Sequence, residues 1–184
     1  AKIYIVDGSK KSISSNKVST FGKNIKYYYI DKTLTERLLW VSSKIEEPFV
    51  CLISDDEFHI PSALKSCITL LEKKTDYVSC LGRGMVFGYS KQDKKIKSLA
   101  AYPEMKDYEL NQELPSERLN YHFKNYTPSQ IYSVCRSRVW KIAMQGFGKE
   151  EFHFFPQMEM QFEMTLSYAG KSVVIPELMW LRSY

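Results

Sequence analysis

At 184 residues, 44% of them hydrophobic and 26% charged, with a formal net charge of +5, the chain is long enough to bury a core of its own and has the balance of an ordinary globular domain. That composition excludes a disordered chain, a collagen-like chain and a small disulfide-stapled scaffold. No apolar run approaches the roughly 18–20 residues of a membrane helix. The tyrosines are not interleaved with a basic stripe, so no nucleic-acid-binding pattern is present.

Residues 2–6 form a short apolar run closed by Asp7-Gly8-Ser9, the signature of a strand entering a turn. Residues 9–24 are rich in Ser, Lys and Asn and read as loop, and residues 25–30 as a tyrosine-rich strand. Thr33-Leu34-Thr35-Glu36 is a capping box that predicts a helix to about residue 46, with Leu34, Leu38, Val41 and Ile45 on one face and Pro48 ending the run. Residues 49–53 (FVCLI) are apolar at every position, which predicts a strand buried on both faces of a parallel sheet. Pro61 opens a helix to about residue 74 with Leu64, Ile68 and Leu71 inward. Residues 77–89 read as a strand interrupted by Gly82, Gly84 and Gly88. The cluster Lys91, Lys94, Lys95 and Lys97 marks a solvated turn, and residues 96–102 pair back as a hairpin. A surface loop over 103–117 is followed by a helix over 117–125, a strand over 131–135 and a helix from 137 to about 146. Residues 156–169 read as a helix with Phe162, Leu166 and Met158 as its core stripe and Gly170 at its C-cap. Strands over 172–175 and 178–181 close the chain. The alternation predicts a single α/β domain with a mostly parallel sheet flanked by helices and a small antiparallel hairpin. Cys51, Cys67, Cys80 and Cys135 contain no C-x-x-C pair and read as free, largely buried thiols of a reducing compartment.

The sharpest chemical feature is the acidic triplet Asp55-Asp56-Glu57 directly after the FVCLI strand. Adjacent carboxylates repel one another, and concentrating them at a strand end costs stability unless a cation neutralises them. Ligands of open α/β sheets bind beyond the carboxyl ends of strands. Hard oxygen donors suit Mg²⁺ or Mn²⁺, which commonly bridge a few carboxylates to phosphate oxygens. The plainer alternative is an exposed acidic loop that caps the next helix.

The segment Ile53-Ser54-Asp55-Asp56-Glu57-Phe58-His59-Ile60-Pro61 resembles the metal-site segment of inverting family-2 glycosyltransferases of the GT-A fold, in a bacterial subgroup where a serine precedes the acidic residues. The resemblance implies Asp56 as the metal ligand, Asp55 beside it, and Ser54 in place of the first aspartate at the nucleotide. Ile3-Tyr4-Ile5-Val6-Asp7-Gly8-Ser9 resembles the family's second strand and nucleobase loop, which implies a nucleotide contact for Asp7. The stretch from Met158-Glu159 to Pro176-Glu177 resembles the family's acidic helix, glycine, short strand and Pro-Glu. Counting back from Gly170 implies Glu159 as catalytic base, with Glu163 one turn on as the backup. An inverting transfer needs such a carboxylate to take the proton of the attacking hydroxyl.

The resemblance further implies a UDP- or GDP-sugar donor, a glycan, lipid-linked or protein hydroxyl acceptor, and a place in the cytoplasm at the inner face of a membrane. It also implies that the family's first strand, absent from this sequence, precedes Ala1, so the chain is a partial domain. Arg83 is a candidate diphosphate contact and Trp180, with Tyr184, a candidate acceptor platform. His59 follows the acidic loop, whereas His122 and His153 have no ligand-like spacing. Two rival readings stay open: a sugar-nucleotide nucleotidyltransferase, and a non-catalytic glycan- or partner-binding domain in which Ser54 and Met158 mark lost positions.

Overall fold

The computed structural model describes residues 1–92, 94–126, 130–147 and 155–183. Strands β1 (Ile3–Asp7) and β2 (Ile25–Tyr29) form a parallel pair in register from Ile3↔Ile25 to Asp7↔Tyr29. The short helix α1 (Ser15–Val18) interrupts the loop between them, capped by the Ser14 hydroxyl. Helix α2 (Leu34–Ser42) starts at the expected capping box, with both of its reciprocal bonds present. It ends four residues earlier than expected because Ser42 and Ser43 turn their hydroxyls back onto the carbonyls of Leu39 and Trp40. Leu38, Val41 and Ile45 are buried as predicted, while Leu34, in the first turn, is exposed.

The second sheet holds β3 (Phe49–Val50), β4 (Glu57–His59), β5 (Tyr77–Ser90), β6 (Lys95–Ala101), β7 (Glu109–Leu110), β8 (Val134–Arg136) and β9 (Lys171–Ser183). Its order is β3-β8-β5-β9-β4, with β6 added to β5 and β7 to β9. Among the described residues of this sheet only β5 and β9 pair in parallel, so the expected mostly parallel sheet is corrected to a mixed one. The hairpin β5–β6 and the antiparallel placement of β8 between β3 and β5 are the reason. The FVCLI run contributes only Phe49 and Val50 to the ladder. Its apolarity is spent on packing, since Phe49 to Leu52 all rest against the core, and Ile53 is exposed.

Helix α3 (Pro61–Lys73) packs on β5 and β9 through Ala63, Cys67 and Leu71. Leu64 and Ile68 are only partly buried. Helices α4 (Pro115–Lys124), α5 (Ser137–Phe147) and α6 (Phe155–Ala169) form the other layer, with α6 touching both α4 and α5. Met158, Phe162 and Leu166 form the predicted inward stripe of α6. The buried Arg118 closes the C-terminal end of α6 by donating to the carbonyls of Ser167 and Tyr168. Gly170 follows, but with no left-handed backbone. A Cβ there would lie 2.4 Å from Val78 Cγ1, so the glycine is required by close packing. The two predicted final strands are one, β9, bent at a register shift opposite Gly82 and Arg83. All four cysteines are free thiols; three are buried and Cys51 partly so. No helix among the described residues is long and apolar enough to cross a membrane.

Candidate functional site

The acidic triplet divides on folding. Asp55 and Asp56 occupy a turn, are exposed, and make no side-chain hydrogen bond or ion pair among the described residues. Glu57 turns inward and is 6% exposed. Its carboxylate accepts the Ser54 amide at 3.2 Å, while its own amide bonds back to the Ser54 carbonyl. The turn is also held from outside. The Asp56 carbonyl accepts from both the amide (3.2 Å) and the hydroxyl (2.7 Å) of Ser183, at the end of β9. The loop expected after FVCLI is present through Asp56 and then becomes an edge strand, β4, which pairs Glu57 with Arg182 and His59 with Trp180.

Tyr132 is the hub of this region. Its ring stacks on Trp180 (5.0 Å between centroids, 18° between planes), and its hydroxyl meets the Ser54 hydroxyl at 3.2 Å. Tyr102 lies against Trp180 as well, and Arg182 interacts with Tyr102, Tyr132 and Glu57. Burial pushes the Tyr132 phenol up to about 12; the Ser54 hydroxyl opposes this, and the negative charges of Glu57 and Glu159 add to it. The acidic loop and Glu159 of α6 therefore act on one phenol. Burial likewise raises Glu57 above the usual carboxylate value, opposed by the Ser54 amide and by Trp180. The Trp180 indole N–H faces that carboxyl without closing a hydrogen bond of normal geometry. The need to seat this indole explains a glycine of β5: a Cβ on Gly84 would lie 2.4 Å from Trp180 Cε3.

Among the remaining candidates, Glu159 is half-buried on α6, but Glu163 is not on a solvated face. It is 1% exposed and fully engaged. Glu163 Oε1 accepts the Gln130 amide at 3.1 Å, and Oε2 lies 3.3 Å from His122 Nε2, while His122 Nδ1 meets the Tyr108 hydroxyl at 2.6 Å. With the imidazole neutral, Tyr108 donates to Nδ1 and Nε2–H donates to Glu163, so every member is satisfied. Glu163 ties α6 to α4 and to the segment before Tyr132, and so positions Glu159 from one turn away. Trp180 is fully buried between Tyr102 and Tyr132, so its faces are covered by the protein's own rings. Arg83 is half-buried at the bulge of β5, opposite Leu178, and makes no side-chain hydrogen bond or ion pair among the described residues.

Asp7 stands on the other sheet, at the end of β1. Its carboxylate accepts the Ser9 amide (2.8 Å) and the Tyr27 hydroxyl (2.6 Å), and these bonds hold its pKa below the ordinary carboxylate value. Arg37 lies over Gly8, where a Cβ would come within 2.4 Å of its Cζ, and donates to the Val6 carbonyl at 2.9 Å. His59 reaches back to Cys51 (3.5 Å), and burial pushes its imidazole down to about 4. His153 and Tyr184 lie outside the described residues.

Among the described residues, no group of three or more His, Cys, Asp and Glu side chains is arranged as a metal cage. The donor set at the loop is two adjacent exposed carboxylates with Glu57 withdrawn. That suits a hard cation which keeps water or phosphate oxygens in its other positions, as Mg²⁺ does with one or two carboxylates. Reading the sequence misses Tyr132, Tyr102 and Arg182. Ser54 and Tyr132 are 78 positions apart, and Tyr132 sits in no motif. No model of a known protein family matches the chain, and no curated protein matches it in sequence.

Proposed function

We propose that the chain is a glycosyltransferase domain of GT-A type, dependent on a divalent cation, that moves a sugar from a UDP- or GDP-sugar to a hydroxyl acceptor with inversion at the anomeric carbon. The observation that carries the reading is the split of the acidic loop. Glu57 folds inward and two hydrogen bonds from Ser183 fix the backbone, so Asp55 and Asp56 are held exposed, side by side, without partners that neutralise them. Asp56, with Asp55, would hold Mg²⁺ or Mn²⁺. When bound, such an ion stabilises negative charge on a leaving diphosphate.

The chain's own residues account for the remaining roles. Ser54, at the base of the loop, and Asp7, at the end of β1, are the proposed nucleotide contacts. Arg83 is a cation available to a diphosphate. Glu159 is the proposed base. The acceptor oxygen forms its bond to the anomeric carbon from the face opposite the diphosphate, its proton passes to the Glu159 carboxylate, and the bond to the diphosphate oxygen breaks with its electron pair leaving on that oxygen. The free thiols and the resemblance to bacterial family-2 enzymes favour a cytoplasmic setting.

A transfer assay over a panel of UDP- and GDP-sugars with Mn²⁺ tests the proposal. Asp56→Ala is expected to abolish transfer with the fold intact, and Glu159→Gln to lower kcat by about 100- to 10,000-fold. Full turnover in Asp56→Ala would remove the metal assignment.

A further inference from the structure

One face of the second sheet continues beyond the helix that covers it. Cys67 of α3 touches the Met179 sulfur of β9 at 3.7 Å, so α3 packs on the Met179 side. Leu181, two residues on, faces the same side by the two-residue period of a strand. In register with it stand Phe58 on β4 and Met85 on β5. Phe87 and Tyr89 extend the row along β5, and Ile96 of β6 lies directly opposite Tyr89. The Phe58 and Phe87 rings meet at 6.0 Å. Phe58 is 58% exposed, Tyr89 59% and Ile96 70%. This is a continuous apolar strip leading to the tip of the β5–β6 hairpin.

The tip is basic. Residues 91–97 carry four lysines against one aspartate, and Lys91, Lys94, Lys95 and Lys97 are all exposed. Lys95 and Lys97 pair with Ser90 and Gly88, which places them on the face opposite Ile96. The ribbon therefore presents Tyr89 and Ile96 on one side and lysines around its end and other side. A second copy docking tip to tip would set lysines against lysines. A soluble polyanion would satisfy the lysines but leave Ile96 and Tyr89 in water. A bilayer with anionic headgroups satisfies both, since apolar side chains enter the acyl boundary while long lysine stems reach the phosphates.

We propose that the β5–β6 hairpin is a membrane-surface anchor that inserts Tyr89 and Ile96 into an anionic lipid headgroup layer, with Lys91, Lys94 and Lys95 contacting the phosphates. The inference is independent of the transfer reaction, and its test reads no turnover. The test is co-sedimentation of the full chain with phosphatidylcholine vesicles with and without phosphatidylglycerol. The chain is expected to sediment only with the anionic vesicles, and less so as salt rises. The triple variant Lys91→Gln/Lys94→Gln/Lys95→Gln should bind about 100-fold more weakly, about fivefold per lysine. Ile96→Ser should lose about tenfold. All four positions are exposed, so thermal unfolding midpoints are expected to stay at the wild-type value. Failure of the wild-type chain to sediment with anionic vesicles, or unchanged binding in the triple variant, would overturn the proposal. So would binding that heparin displaces and that Ile96→Ser leaves untouched, which would mark a polyanion site.

Discussion

The acidic loop of β4 and the acidic helix α6 treat their carboxylates in parallel but unequal ways. Each folds one carboxylate fully inward and leaves others less buried: Glu57 against the exposed Asp55 and Asp56 in the loop, Glu163 against the half-buried Glu159 on the helix. The inward groups differ in what meets them. Glu163 finds the Gln130 amide and the His122 imidazole, whose other nitrogen meets Tyr108. Glu57 finds one amide and an indole N–H without good geometry, and burial leaves it raised. The helix carboxylate is a completed structural clamp. The loop carboxylate is an incompletely compensated one, placed beside two exposed carboxylates that under the proposed function would hold a cation. A charge that is fully satisfied is evidence of architecture; a set of charges left unsatisfied together points to a ligand.

Removing the clamp should produce the largest effect. Glu163→Ala strands the Gln130 amide and the His122 N–H in the core, and urea unfolding is expected to show a loss of about 3 kcal/mol. Glu159→Gln should stay within about 0.5 kcal/mol of wild type. Equal losses in the two variants would erase the distinction between a carboxylate that clamps the core and one that does not. On the loop side, Glu57 leans on a tightly seated indole. Gly84→Ala forces a Cβ into Trp180 and is expected to cost about 2 kcal/mol.

A subtler effect reads Glu57 and its neighbour His59 by pH. Glu57 has a folded pKa above its unfolded one, so its contribution to stability is fully present below the unfolded value and is lost as pH rises through the raised folded value. Denaturant unfolding across that range should show wild type losing ground to Glu57→Gln as pH increases, because the amide keeps the acceptor for Ser54 without the buried charge. A constant gap between the two would contradict the raised value. His59 runs the other way. Its folded value near 4 lies below the ordinary 6.5, so stability falls as pH drops through that interval. Titration of its ring by NMR should show a midpoint near 4, and a midpoint near 6.5 would show that the imidazole is not desolvated.

Much of this was legible in the sequence, for identifiable reasons. The Thr33 capping box, Pro61 at the first turn of α3 and the Met158-Phe162-Leu166 stripe are local patterns, and local patterns survive folding. Sheet direction is not local. The FVCLI run reads as a doubly buried parallel strand because its side chains are all apolar, yet only two residues join a ladder and their neighbour β8 is antiparallel. Glu163 stands in the sequence only as the backup to Glu159, because the partners that engage it come from α4 and from the Gln130 amide, remote in sequence. Trp180 is a candidate acceptor platform in the sequence, and in the fold Tyr102 and Tyr132 cover its faces. Gly170 sits where a C-cap glycine is expected, but Val78 rather than a left-handed φ is what requires it. The site residues that sequence patterns supply are those whose chemistry is concentrated in one segment, as in Asp55-Asp56. Tyr132 and Arg182 join them only through the tertiary pairing of β9 with β4 and of the Tyr132 ring with Trp180.

The central claim is that Asp55 and Asp56 form a cation-dependent nucleotide site. Calorimetric titration of UDP and GDP into the chain, with and without Mn²⁺ and in parallel on Asp56→Ala, tests it most directly. The account predicts binding of one nucleotide that requires Mn²⁺ and disappears in Asp56→Ala, while thermal unfolding of the variant matches wild type. Binding that ignores the metal, or that persists in Asp56→Ala, would contradict it.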